Sequence, residues 1–262
     1  MTMTSSSEIR YNQVLQRIVI SVKEDIDGQL IPALHSLQSD YVRDSWGASI
    51  QEVIERLRER WTSPGFRKLA DKLASQFVRS TLSVIDRQQK RRFGIDVLQN
   101  SPEVIANMQA ASIQNASLIK SIPEQYLKNV SNSVLTNMRT GLLPREVAKQ
   151  IEDEYGVTQR RARFIARDQT SKINGELAER RQQDAGYEFF GWMISHDERV
   201  RDSHKEVAKA DVGYGPGIYR WDSPPKNERG ETIKPGSDYQ CRCWAKPIRN
   251  SVVRRYQESK AA

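Results

Sequence analysis

The chain has 262 residues, 41 basic against 33 acidic side chains for a net charge of +8, and only 37% hydrophobic residues. That length suits one large or two small domains, and the basic balance favours polyanionic partners, nucleic acid above all. With no run of 18 apolar residues, no basic-then-apolar start and no glycine-rich phosphate loop, the sequence argues against a membrane-spanning helix, a secretory signal and the common nucleotide-binding loops.

The first two-thirds reads as helix. Apolar residues Val14, Leu15, Ile18, Val19, Val22 and Ile26 recur at helical spacing, and Gly28 and Pro32 end or kink that helix. Ile50, Val53, Ile54, Leu57 and Trp61 place a second stripe on about residues 49–61. Ser63 and Pro64 form a cap and first-turn proline for a third helix to about Arg92, with Phe66, Leu69, Leu73, Phe77, Val84 and Ile85 as its apolar face. Ser101-Pro102-Glu103 repeats the start signal. Pro123 is expected to open a further helix, which Gly141 stops. Pro144 is expected to start a short helix closed by Gly156, and Thr158 to cap a long one ending at Gly186.

Beyond Gly186 the composition shifts toward aromatic, glycine and proline residues. Residues 187–194, 217–221 and 239–248 read as strands. Residues 197–204 read as a short helix capped by Ser195 or Asp197, with Asp197 and Arg201 placed to pair. The expected fold is therefore mainly α: a multi-helix N-terminal two-thirds, then a small α+β C-terminal domain. The expected divisions are 1–100, 101–186, 187–249 and a mobile basic tail at 250–262.

Reactive residue types gather in the C-terminal domain. Cys241 and Cys243 are too close in sequence for an unstrained disulfide. With His204 they offer three zinc ligands, and His196 or Asp238 is a candidate fourth. The alternative is two buried thiols and a surface histidine that hydrogen-bonds locally. Asp197 and His204 also allow an acid–base or metal-dependent nuclease reading. Arg160, Arg163 and Arg167 form a basic stripe that either follows DNA phosphates or pairs with Glu152, Asp153 and Glu154.

The segment from Arg167-Asp168-Gln169-Thr170 through Trp192 and Asp197-Glu198-Arg199-Val200-Arg201-Asp202-Ser203-His204 to Cys241-Arg242-Cys243 resembles the tailed-phage Mu F-like minor head protein family. Asn115–Ile122 and Arg139-Thr140-Gly141 are similar to that family's helical lead-in. The resemblance implies a non-catalytic virion protein, made in the host cytoplasm, that joins the phage portal protein at the portal vertex. Capsid or scaffold proteins and double-stranded DNA are further implied partners. Related forms carry a C-x-x-C pair where this chain has Arg201-Asp202-Ser203-His204, and a histidine shortly before the C-R-C. This chain therefore keeps three ligands, His204, Cys241 and Cys243, which are expected to converge. Trp192, Trp221 and Trp244, with ion pairs around Asp197 and Arg201, are the alternative staple for the small domain.

Overall fold

The computed structural model describes residues 6–36, 46–96, 100–140, 144–195 and 200–261. Helix α1 (Ser6–Asp25) passes through a π-helical turn at Ile26–Leu30 into α2 (Ile31–Ser36). Then come α3 (Trp46–Thr62), α4 (Pro64–Phe93), α5 (Pro102–Thr140) and α6 (Pro144–Asp184). The remainder holds β1 (Phe189–Met193), α7 (Asp202–Val207), β2 (Ile218–Arg220), β3 (Trp244–Ile248) and α8 (Asn250–Ala261).

The predicted start signals operate as caps. The Phe66 amide donates to Ser63 Oγ (3.3 Å) and the Val104 amide to Ser101 Oγ (3.4 Å). At the end of α6, Gly186 takes φ +80° and its amide donates to the Gln183 carbonyl, while Tyr187 donates to Gln182. That is the paired closure of a Schellman motif, which needs a residue tolerant of the left-handed region.

Three expectations about helix boundaries are corrected. Pro123 lies inside α5 and does not begin a helix. An interior proline costs roughly 3 kcal/mol. Ile119, Ile122, Tyr126, Leu127 and Val130 are all buried around it, and each contributes roughly 1.5–3 kcal/mol, so burial outweighs the proline. Arg161 also braces this turn, donating to the Ser121 hydroxyl (2.8 Å) and carbonyl (3.3 Å). Likewise α6 runs unbroken through Gly156, and Thr158 caps nothing: its hydroxyl donates back to the Glu154 carbonyl four residues earlier (2.9 Å). Finally, residues 250–261 are helix, not mobile tail. Val253 is buried, and the Tyr256 hydroxyl donates to the Asp211 carboxylate. Gly141 lies outside the described residues.

The inner face of α4 also differs from expectation. Leu69 is 46% exposed, while Ala70, Ala74, Phe77, Val78, Leu82 and Ile85 are buried. The alanines sit at helical spacing with the larger residues and take the inward positions.

The chain divides into two units. The first is Met1–Ile9, Gln76–Ala111 and Arg167–Ala262; the second is Arg10–Ser75 and Ser112–Ala166. Both draw on α4, α5 and α6. Among its described residues the second unit is helical, with no strand. Its core includes Leu15, Val19, Val22, Leu30, Ile50, Leu57, Ile119 and Val130. Two hydrogen bonds lock it at long range: Tyr11 Oη to Asn115 Oδ1 (2.9 Å), and Trp61 Nε1 to Asp25 Oδ2 (2.9 Å).

The first unit carries a three-stranded antiparallel sheet in the order β2-β1-β3. Phe189 pairs with Arg220 on one side and Ile248 on the other; Met193 pairs with Trp244. Four successive residues of central β1 are buried, so both of its faces are covered. Its core is Phe190, Trp192, Tyr219, Trp221, Ile233, Cys241, Cys243 and Ala245, with Phe190 stacked on Trp221 at 4.1 Å. The same unit holds an ion pair whose arginine is buried and whose carboxylate is half-exposed. Arg181, 1% exposed, donates to both oxygens of Asp86 (2.8 and 3.1 Å) and to Asn100 Oδ1 (2.6 Å).

Candidate functional site: a buried histidine–cysteine cluster

Two short segments of the first unit, supported by helix α6, build the site. Arg201 takes extended backbone angles and leads into α7, which carries His204 inward. The loop at 234–241 turns back through Gly236 and Gln240, both at positive φ (+91° and +53°). Gln240 is a non-glycine in the left-handed region, a conformation that costs roughly 1–2 kcal/mol. Its amide is held by Asp168 Oδ1 of α6 (3.0 Å). Asp168 is itself buried and paired with Lys172 (2.8 Å), while Ser171 donates to the Cys241 carbonyl. Helix α6 thus presents one polar edge to the cysteine loop.

The structure brings His204, Cys241 and Cys243 together. All three are buried, and their ligand atoms lie within 4.8 Å of one another. His204 Nδ1 is 3.7 Å from Cys241 Sγ and 3.4 Å from Cys243 Sγ. A tetrahedral zinc site with bonds of about 2.0–2.3 Å has ligand–ligand edges of about 3.3–3.8 Å, so both nitrogen–sulfur separations fit the ion. The other ring nitrogen, Nε2, lies 3.3 Å from Asp238 Oδ2. A carboxylate there fixes the tautomer that leaves Nδ1 free to ligate. Asp238 is therefore an orienting partner, not the fourth ligand. The Cys243 amide donates to Cys241 Sγ (3.4 Å), the local N–H···S contact that the one-residue spacer allows.

The electrostatics favour a charged sulfur. Cys241 is lowered to about 5, first by the hydrogen bond from the Cys243 thiol and then by His204. Cys243, as donor to that thiolate, is pushed up. His204 is raised by its hydrogen bond with Cys241. A soft divalent cation that binds here would displace the protons these three groups hold.

The other predicted residues divide. Trp192 is buried with its ring 5.4 Å from that of His204, and Trp221 joins the same core. Trp244 does not join it: half-buried, it stacks on Phe93 of α4 at 6.5 Å. Arg201 pairs with Asp238 and donates to the Tyr239 carbonyl (2.7 Å). This gives Asp238 two cationic or donor partners. The expected partner Asp197, and His196, lie outside the described residues. The expected helix at 197–204 is replaced among the described residues by α7, which begins at Asp202 without a side-chain cap. Arg242 is half-buried between the two cysteines. Arg160 and Arg163 are exposed and Arg167 is half-buried; none of the three forms an ion pair with Glu152, Asp153 or Glu154 among the described residues. Ser171 and Gln240 were not singled out from sequence, and Asp168 entered only within the segment that carries the resemblance, because nothing local marks a residue that supports a loop 70 positions away.

Residues 128–246 match the sequence profile described as Phage Mu protein F like protein. An uncharacterized protein of Haemophilus influenzae strain Rd is 32% identical over 253 residues, covering 94% of this chain. The chain spans about half the length of that relative, 54%. No solved structure matches. The matched span contains α7, the whole sheet as far as Lys246 and every residue of the histidine–cysteine cluster. Over residues 128–246 the chain is similar to the Phage Mu protein F like family.

Proposed function

We propose that this chain is a non-catalytic head-morphogenesis protein of a tailed phage that joins the portal vertex and acts in packaging or delivery of the genome. The observation that carries this reading is the family match over residues 128–246, which covers both the V-R-x-x-H and the C-R-C elements. The modest hydrophobic content, 37%, agrees with a protein whose burial is completed by a partner. Virion residence and contact with portal, capsid or scaffold proteins belong to the same reading. The test is co-expression of the full chain with the portal protein of the same phage genome, then affinity purification and mass measurement. A stoichiometric complex that survives high salt supports it; no complex at either low or high salt overturns it.

Within that reading, His204, Cys241 and Cys243 hold one zinc ion as a staple for the small sheet. The donor set supports this: three buried soft or borderline ligands, one of them oriented by Asp238. A bound zinc ion would supply cross-linking of α7 to the C-R-C loop. Metal analysis of the purified full chain should give one zinc per chain, lost in Cys241→Ser. A metal-free chain with unchanged thermal stability would refute it.

A second reading is non-specific DNA binding through Arg160 and Arg163, with Arg167. Its support is the exposure of the first two and their freedom from ion pairs among the described residues. Alanine at all three should flatten the salt dependence of DNA binding.

A further inference from the structure

A cavity of about 160 Å³ lies in the first unit, between α4, α6 and the segment Cys241–Ala245. Cys241 and Cys243 belong to its wall, so it adjoins the histidine–cysteine cluster. A cavity of ~150 Å³ holds benzene, so this one has room for one six-membered ring and not for a fused pair.

The lining is mostly apolar, with two polar atoms left over. Ile85, Phe93, Ala178, Trp244 and Ala245 contribute hydrocarbon and aromatic surface. Gln89 and Ser195 stand in the same wall, 6% and 5% exposed, and Gln89 Oε1 and Ser195 Oγ are buried without a hydrogen-bond partner. Each such atom costs roughly 1–3 kcal/mol, and few occur in a folded protein. The charges in the wall do not call for an ion. Arg167 stands near the Glu8 carboxylate and offsets its charge. Arg92 is exposed and lies over the Trp244 ring at 5.9 Å, a cation–π contact.

We infer that this cavity binds a phenol ring whose hydroxyl is shared by Gln89 Oε1 and Ser195 Oγ. A carboxamide oxygen only accepts hydrogen bonds, whereas a serine hydroxyl can donate one. A phenol hydroxyl serves both from a single atom: it donates to Gln89 and accepts from Ser195. Its ring then covers the apolar wall beside the Trp244 indole. Water alone would pair with the two polar atoms and leave that wall wet. A hydrocarbon ring would cover the wall and leave both atoms unpaired. The phenol comes either free or as the tyrosine side chain of a protein. The inference is independent of the head-assembly reading and of the zinc staple.

Titration of the full chain with p-cresol, followed by ligand-observed nuclear magnetic resonance, is the test. Saturable binding in the millimolar range is expected. Toluene has the same shape without the hydroxyl and should bind about tenfold more weakly, the loss of two hydrogen bonds. Ser195→Ala removes one of those bonds and should shrink the difference to about threefold. Gln89→Leu should shrink it similarly from the other side. If N-acetyltyrosinamide displaces p-cresol, the ring arrives on a protein; if it does not, the phenol comes free, and the site stands in both cases. No saturable binding of p-cresol at millimolar concentration, toluene binding as tightly as p-cresol, or a preference unchanged in both variants overturns the inference.

Discussion

Gly175→Ala tests whether α6 positions the cysteine loop by direct backbone contact. A Cβ on Gly175 would lie 2.4 Å from the Pro235 carbonyl oxygen and 3.3 Å from Gly236 Cα. Gly236 is held reciprocally, since its own Cβ would lie 2.7 Å from the Ser171 carbonyl oxygen. The opposing atoms are backbone on both sides, so no flexible side chain can absorb the intrusion. Relief requires the loop to retreat by about 0.6 Å or more, and overpacking of this kind costs about 1–3 kcal/mol. Alanine gains about 1 kcal/mol over glycine in a helix interior, which opposes the clash. Gly156→Ala in the same helix is the control, because its Cβ meets only the end of Arg160 at 3.5 Å. Gly156→Ala should stabilise by about 0.5–1 kcal/mol. Because both variants carry the propensity gain, the difference between them isolates the clash, about 2–3 kcal/mol given rigid neighbours. Urea unfolding followed by fluorescence of the buried Trp192 and Trp221 measures stability. Hydrogen exchange at Gln240, whose amide is held by Asp168, reports the loop locally. Equal stabilisation by the two substitutions, with unchanged exchange at Gln240, would refute the close-contact argument.

Removal of metal should lower the melting temperature of the wild type and leave Cys241→Ser unchanged, read by calorimetry with and without a chelator. Asp86→Asn strips Arg181 of its carboxylate while the guanidinium stays buried; it should cost about 3 kcal/mol in chemical denaturation, the low end for breaking a buried pair, because Asp86 keeps 35% exposure. Asp211 is lowered by the Tyr256 hydroxyl first and then by the Gly213 and Gly215 amides. Its depressed folded value means its stabilisation is present above the unfolded value of 3.8 and fades as pH falls through the lower folded one. Protection of α8 amides should therefore drop in that acid window, and Asp211→Asn should abolish the dependence.

Local chemistry made much of this protein legible in one dimension. The apolar period along α1, α3 and α5, the Ser63-Pro64 and Ser101-Pro102 starts and the Gly186 stop act within a few residues of themselves. The aromatic run of β1 and the C-R-C spacing are equally local, and His204, Cys241 and Cys243 stood out because few residue types bind metal. What tertiary structure alone decided involves residues distant in sequence. Burial carried α5 through Pro123 and turned the alanines of α4 inward in place of Leu69. Asp238 became the partner of His204 across 34 positions, and Ser171 the support of Cys241 across 70. The fit of Gly175 to Gly236 belongs to the same class. A contact between distant residues leaves no period and no spacing in the chain, because its free energy depends on which surfaces the packed helices bring into contact.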